Sequence, residues 1–160
     1  MSELNIQGKR IKLLLYDFDG VMTDNRVLIN EEGLESVVCN RSDGLAVSLI
    51  KEWGVLQAIV STETNKIVAT RATKLKIPVI YGVSNKKDVV LKYCSDLGIK
   101  PEETLYIGND INDLEVMQVV GYSVCPNDAC DEICKIAKLK LPVNGGYGVI
   151  RELLKYLGII

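Results

Sequence analysis

The chain contains no histidine. That absence excludes Ser-His-Asp and Cys-His nucleophilic sites, phosphohistidine chemistry and every zinc site built on imidazole. Acid and base work must then fall to carboxylates, lysine or tyrosine. Cysteine is sparse, with five in 160 residues: Cys39, Cys94, Cys125, Cys130 and Cys134. The count is odd and no double CxxC occurs, which excludes a zinc ribbon and predicts reduced, mostly buried thiols. None is followed by arginine at the C-x5-R spacing of thiol phosphatases, and no GxxxxGK(S/T) loop exists. Gly145, Gly146 and Gly148 lack the third glycine of GxGxxG, Arg151 standing in its place, so a flexible tail entering a site is the better expectation. An EF-hand starting at Asp17 fails because Val21 and Leu28 fall where oxygen ligands are required. No apolar run is long enough to span a bilayer, and Met1 to Arg10 is polar without a signal-peptide pattern, so a cytoplasmic protein with no membrane partner is expected. The net charge of −2, with basic residues scattered, gives no reason to expect nucleic acid.

What is present is apolar. A hydrophobic content of 48% in 160 residues predicts one core and a single domain over 1–160. Apolar runs alternate with longer amphipathic segments, the pattern of an α/β fold with a mostly parallel sheet covered by helices. Strands are predicted over 11–16, 56–60, 79–80, 104–107 and 121–124, and helices over 44–53, 64–75, 86–97, 111–119, 129–136 and 147–157. Gly98 and Pro101 read as a C-cap and a breaker after the third helix. Trp53 ends an amphipathic helix and is expected to pack in the core or an interface. One segment, "NRVLINEEGLESVVCNR" from Asn25 to Arg41, interrupts the alternation as two β-rich runs around a turn and predicts a hairpin. Its apolar side chains need a covering, and a neighbouring subunit is the simplest source.

The first strand ends in "DFDG". Asp17 and Asp19 thus concentrate negative charge against a low-dielectric core, which is costly without a cation or a shared proton. Other strands run into Ser61 and Thr62, Lys86, and "GNDIND" over 108–113. In a parallel sheet these tips converge on one edge, a combination that suits a phosphate and a divalent ion. Asp17 is the candidate nucleophile and ligand for Mg²⁺, and Asp19 the candidate acid and base. Lys86 and Ser61 would hold the phosphoryl oxygens, and Asn109, Asp110 and Asp113 would supply a metal ligand and its surrounding shell. Arg71 and Lys74, on the predicted second helix, either reach a substrate carboxylate, in their own subunit or across a subunit boundary, or simply solvate a helix face. A receiver domain gathers similar residues, but it places its phosphorylated aspartate on a later strand and has no acid two residues beyond.

These residues resemble the motifs of the haloacid dehalogenase superfamily of phosphohydrolases: "DFDGV" for DxDx(T/V), then Ser61, Lys86 and "GNDIND" in order. The chain is most similar to the branch without a large cap, which includes 3-deoxy-D-manno-octulosonate 8-phosphate phosphatases, nonulosonate 9-phosphate phosphatases and the C-terminal domain of some CMP-acylneuraminate synthetases. The branch carries "DGVxTD", here Asp19 to Asp24, a following hairpin, and GGxGxxRE, here Gly145 to Glu152. The resemblance implies a three-layer Rossmann-like fold, an Mg²⁺-dependent phosphatase acting on a 2-keto-3-deoxy sugar acid phosphate, and a homotetramer. In such tetramers the hairpin and a neighbour's tail help close the site. It also includes Asp19 among the metal-site residues and Thr62 and Glu63 among those facing substrate. Two departures stand out. Asn109 replaces the usual aspartate and resembles the synthetase-associated members, which leaves a non-catalytic or weakly active assembly module as the alternative. Thr62-Glu63, with Lys74, replaces Gly-Arg and resembles the nonulosonate pattern.

Overall fold

The computed structural model describes residues 4–160. A hairpin opens the chain, β1 (Leu4–Ile6) against β2 (Lys9–Ile11), turning through Gln7 and Gly8 with φ of 47° and 78°. Two consecutive left-handed residues match the right-handed twist of a two-residue turn. The predicted strand over 11–16 is therefore shorter: Ile11 closes the hairpin, and β3 is Leu13–Tyr16. The next segment forms a small antiparallel ribbon, β4 (Leu28–Ile29) with β5 (Glu35–Ser36). Its turn is held by Asn30, whose side-chain oxygen accepts from the N–H groups of Glu32 and Leu34. Leu28 and Val38 are 74% and 71% exposed, so these apolar side chains of the ribbon have no cover among the described residues.

Alternation resumes with α1 (Arg41–Glu52), β6 (Leu56–Val60), α2 (Lys66–Leu75), β7 (Val79–Ile80) and α3 (Lys86–Leu97). It continues with β8 (Thr104–Ile107), α4 (Leu114–Val119), β9 (Tyr122–Cys125), α5 (Asp131–Ile136), β10 (Leu139–Lys140) and α6 (Val149–Tyr156). Asn40, Asn65 and Asn85 each cap a helix by accepting from its first-turn N–H groups, which fixes where α1, α2 and α3 begin. Gly98 ends α3 in the left-handed region, as the sequence predicts. The predicted helix over 111–119 begins as a 3₁₀ turn, Ile111–Asp113.

The central sheet is parallel throughout, in the order β10-β9-β8-β3-β6-β7. Residues of β3 alternate between its faces. Leu14 and Tyr16 pack with α1, α2 and α6 through Val47, Ile50, Val68 and Leu153; Leu13 and Leu15 pack with α3, α4 and α5 through Val90, Val116 and Ile133. Helices on both faces make three layers, and no large cap occurs among the described residues. Trp53 lies partly buried against the first of these cores. No helix of the described residues is long and apolar enough to cross a membrane.

The glycine segment before α6 behaves differently from the expected flexible tail. Gly146 donates its N–H to the Val21 carbonyl at 3.0 Å, and Gly145 donates to Asp128 Oδ1 at 2.8 Å. A Cβ on Gly145 would lie 2.1 Å from the Gly20 carbonyl oxygen, so only glycine permits this approach. The segment braces the turn after β3 from within the same chain.

Candidate active site

β3 carries Asp17 to the carboxyl edge of the sheet, where its N–H still bonds the Ile107 carbonyl at 2.9 Å. The chain then folds on itself. The Phe18 carbonyl accepts from the N–H groups of Met22 (2.9 Å) and Thr23 (3.2 Å), and Gly20 takes φ of 78°. Asp17 is thereby fixed by the sheet and Asp19 by the turn.

Asp17 Oδ1 accepts from the Phe18 N–H at 2.7 Å and from Lys86 Nζ at 2.8 Å. Lys86 opens α3 and is 3% exposed; its Nζ also donates to Asp113 Oδ1 at 2.7 Å. Asp113 is buried and fully engaged, with Oδ1 accepting from Tyr106 Oη at 2.7 Å and Oδ2 from the N–H groups of Asn109 (2.9 Å) and Asp110 (3.4 Å). It orients Lys86 and the 108–113 loop, and its lone pairs are committed to protein donors. Asp113 therefore belongs to the shell of the site.

Burial pushes the Asp17 carboxyl well above the ordinary range; the neighbouring Asp113 charge adds to this and Lys86 opposes it. Burial also raises Asp19, helped by Glu63 and opposed by the Thr23 hydroxyl, which donates to Asp19 Oδ1 at 3.4 Å. Burial alone would lower Lys86, but Asp17 and Asp113 together outweigh it and hold the ammonium above its ordinary value.

A cleft of about 490 Å³ opens over this cluster. Asp17, Asp19, Ser61, Thr62, Glu63, Asn109 and Asp110 all line it, so the structure brings these sequence-predicted residues together. Lys86 and Asp113 lie buried beneath. Ser61 Oγ accepts from the Glu63 N–H at 3.1 Å, and Asp110 Oδ1 accepts from the Ile111 N–H at 2.7 Å, capping the 3₁₀ turn. Arg71 and Lys74 are not brought to this cleft. They line a second hollow with Arg41, Ser48 and Lys76, and Arg71 Nη2 donates to the Asn40 carbonyl at 3.0 Å. The reason is helical geometry: Asn65 and Ile67 of the α2 start line the cleft, while Arg71 and Lys74 lie one and two turns further along.

Sequence reasoning missed Tyr106, Thr23, Arg26, Glu35 and Asn65. Tyr106 left a signal, since a phenol between Leu105 and Ile107 in a buried strand needs a partner for its hydroxyl. Thr23, Arg26 and Asn65 lie on turns and caps, and Glu35 on the two-residue strand β5, where no periodicity gives direction.

No group of three carboxylate or thiolate side chains able to hold a metal occurs among the described residues. A mixed oxygen set does. One terminal atom of the Asn109 amide lies 3.0 Å from the Asp19 carbonyl oxygen and 3.2 Å from Asp17 Oδ2. With nitrogen there, the amide donates to both; with oxygen there, three oxygens face one another. The two distances from Asn109 are near the ~3 Å edge of an octahedron of oxygens at ~2.1 Å from Mg²⁺. The donors fit a hard divalent cation.

A sequence profile of haloacid dehalogenase-like hydrolases matches residues 14–153. The 3-deoxy-D-manno-octulosonate 8-phosphate phosphatase of Escherichia coli K12 is 32% identical over 157 residues, 98% of this chain and 84% of the relative. A Streptomyces avermitilis chain assigned to the HAD hydrolase family superposes with a TM-score of 0.90 at 42% identity, covering 91% of this chain and 84% of that one. The Moraxella catarrhalis octulosonate 8-phosphate phosphatase, solved with magnesium, phosphate and the sugar acid, superposes with a TM-score of 0.87 at 29% identity, covering 91% and 87%. The cobalt-bound phosphatase of Haemophilus influenzae does so with 0.87 at 27%, covering 92% and 90%. An oxygen set suited to a divalent cation, a buried lysine between two carboxylates and these likenesses agree: the chain belongs to the haloacid dehalogenase-like hydrolases and is a phosphatase of that family.

Proposed function

We propose that the chain is an Mg²⁺-dependent phosphomonoesterase that hydrolyses a 2-keto-3-deoxy sugar acid phosphate through an aspartyl phosphate on Asp17. The observation that carries this reading is the division of labour at Asp17. One carboxylate oxygen is tied to Lys86 and the Phe18 N–H, while the other faces Asn109 at the floor of the cleft. The two oxygens of Asp17 thus divide the work, one attacking phosphorus while the other would hold the cation. Bound through Asp17, the Asp19 carbonyl and Asn109, with Asp110 at the rim, the cation would neutralise the repulsion between carboxylate and phosphate. The Lys86 ammonium, with two of its protons on Asp17 and Asp113, has a third to donate to a phosphoryl oxygen. Ser61 and Thr62 stand across the cleft to hold the others. Asp19, kept protonated to higher pH by burial, gives its proton to the departing sugar oxygen. It then takes one from the water that hydrolyses the Asp17 ester, so the carboxylate pair returns to its starting state.

Glu63 and Asn65 face the leaving group from the α2 side, as acceptor and donor for hydroxyls. Arg71 and Lys74 reach a substrate carboxylate only from a neighbouring subunit of a homotetramer. The uncovered ribbon, Val27 to Val38, supports that assembly. A cytoplasmic location fits the reduced cysteines.

The test is phosphate release from octulosonate 8-phosphate and from nonulosonate 9-phosphates, with and without Mg²⁺. Turnover of one of them should require the cation and fall to background in Asp17→Asn. Activity surviving Asp17→Asn eliminates the covalent mechanism. Asn109 favours a second reading, a non-catalytic module that assembles subunits for acylneuraminate activation. Stable tetramers with no hydrolysis of any of these esters would establish it in place of the first.

A further inference from the structure

The two aspartates of the first turn are held with unequal firmness. Asp17 is fixed by the sheet, with its N–H on the Ile107 carbonyl and its Oδ1 on Lys86. The Asp19 carboxyl has a weaker hold: the Thr23 hydroxyl donates to its Oδ1 at 3.4 Å, well beyond the ~2.7 Å usual between two oxygens. Thr23 is fully buried, and its Oγ also accepts from the N–H groups of Asn25 at 3.2 Å and Gly20 at 3.3 Å. Where Asp19 points is therefore decided by the backbone of residues 20–24 and by whatever presses on it.

The glycine segment before α6 presses on it. The Gly146 N–H bonds the Val21 carbonyl, and a Cβ on Gly146 would lie 2.6 Å from the Thr23 carbonyl carbon. The segment is itself held from its far side by the loop between β9 and α5. Asn127 donates its N–H to the Val143 carbonyl at 2.8 Å and its amide to Asn144 Oδ1 at 3.0 Å. Asp128 Oδ1 accepts from the Gly145 N–H at 2.8 Å, the last tie before the glycines meet the turn. Asp128 is exposed and does not line the cleft.

We infer that Asp128 is a positioning residue for proton transfer by Asp19, holding through Gly145 and Gly146 the turn on which that acid stands. The inference rests on the phosphatase reading and adds to it a residue that touches neither substrate nor cation. A general acid acts only within hydrogen-bond reach of the departing oxygen, and a misplacement of ~1 Å costs up to ~10²-fold in rate. Attack by Asp17 is outside this path, because the sheet and Lys86 hold that side chain without the glycine segment.

The experiment measures kcat/KM with Mg²⁺ for the wild-type chain, Asp128→Ala and Asp128→Asn on two kinds of ester. One is the faster of octulosonate 8-phosphate and a nonulosonate 9-phosphate, whose alcohol must be protonated as it leaves. The other is p-nitrophenyl phosphate, whose phenolate leaves without a proton. Asp128→Ala should lower the value for the sugar ester about ten-fold or more, a partial loss of general acid catalysis, and leave that for the aryl ester nearly unchanged. Asp128→Asn, whose amide oxygen still accepts from the Gly145 N–H, should stay close to the wild type on both. Equal losses on both esters in Asp128→Ala would reveal a general disturbance of the fold and overturn the inference. No loss on either ester, or a loss in Asp128→Asn as large as in Asp128→Ala, would overturn it too, and all three results leave the phosphatase reading intact. A wild-type chain that hydrolyses neither sugar ester overturns that reading, and this inference with it.

Discussion

Replacing Asp43 by Asn should stabilise the protein above pH 6 and leave it nearly unchanged around pH 4. Asp43 lies in the first turn of α1 and is 1% exposed. Its Oδ1 accepts from the Arg151 N–H at 2.9 Å and so caps α6, while Oδ2 has no partner. Burial raises its pKa from 3.8 to about 6, although the N–H groups of Arg151 and Ile150 and the charge of Arg71 resist. The protonated form is therefore the one that the fold favours. The stability this group contributes is complete below its unfolded pKa and is lost as pH rises through about 6.

A rise from 3.8 to about 6 corresponds to ~3 kcal/mol. Asparagine keeps the acceptor for α6 and carries no charge, but its NH₂ lies where Oδ2 has no partner, which costs part of the gain. A net gain of ~1–2 kcal/mol at pH 8 follows, equivalent to roughly 2–8 °C in Tm for a domain of this size. Urea unfolding of both proteins at pH 4.5, 6, 7 and 8 measures it, and the two stability curves should diverge between about pH 4 and 6 and run parallel above. An Asp43→Asn protein less stable than the wild type at pH 8 would refute the reasoning. That result would mean that the ionised carboxylate has a real partner, for which Arg71, whose Nε is also unsatisfied, is the candidate.

Two further outcomes follow from the site. Asn109→Asp should lower the melting temperature of the metal-free protein by adding a charge about 3 Å from Asp17, and should tighten Mg²⁺ binding about ten-fold or more in calorimetry; equal affinities would detach Asn109 from the cation. Tyr106→Phe removes the hydroxyl that Asp113 Oδ1 accepts, so denaturation should register a loss of ~1–2 kcal/mol and kinetics a reduced kcat with KM little changed; an unaltered kcat would show that Asp113 holds Lys86 without help.

Much of this fold could be read before any coordinates. β6, β7, β8 and α3 fall on their predicted bounds because each is an apolar or amphipathic run with distinct punctuation, such as Asn85 before α3 and Gly98 after it. The hairpin β1–β2 and the edge strand β10 escaped because they are two or three residues long and carry polar side chains. Cap residues displaced other ends, Asn40 starting α1 three residues earlier than its periodicity suggests. The cleft was legible for a topological reason: parallel strands deliver their carboxyl ends to one edge, so Asp17, Ser61 and Asn109 had to meet. Direction was not legible. Whether α2 aims Arg71 at the cleft or at the neighbouring hollow depends on the tilt and start of a helix, and whether Asp113 holds a cation or Lys86 depends on rotamers within one loop.

The electrostatics of that loop give Asn109 a physical sense. Lys86 is already shared by two buried carboxylates, Asp17 and Asp113, and burial with mutual repulsion raises Asp17 despite the ammonium. A third carboxylate at position 109 would face Asp17 across about 3 Å with no further cation to divide. The amide avoids this, because in the absence of metal its NH₂ donates to Asp17 and to the Asp19 carbonyl, and a half-turn presents its oxygen instead. On the proposed reading, the same amide gives the cation one formal charge fewer than a carboxylate would. Under that reading one side chain would set both the affinity for the metal and the tolerance of its absence, and an amide at position 109 shifts the balance toward tolerance.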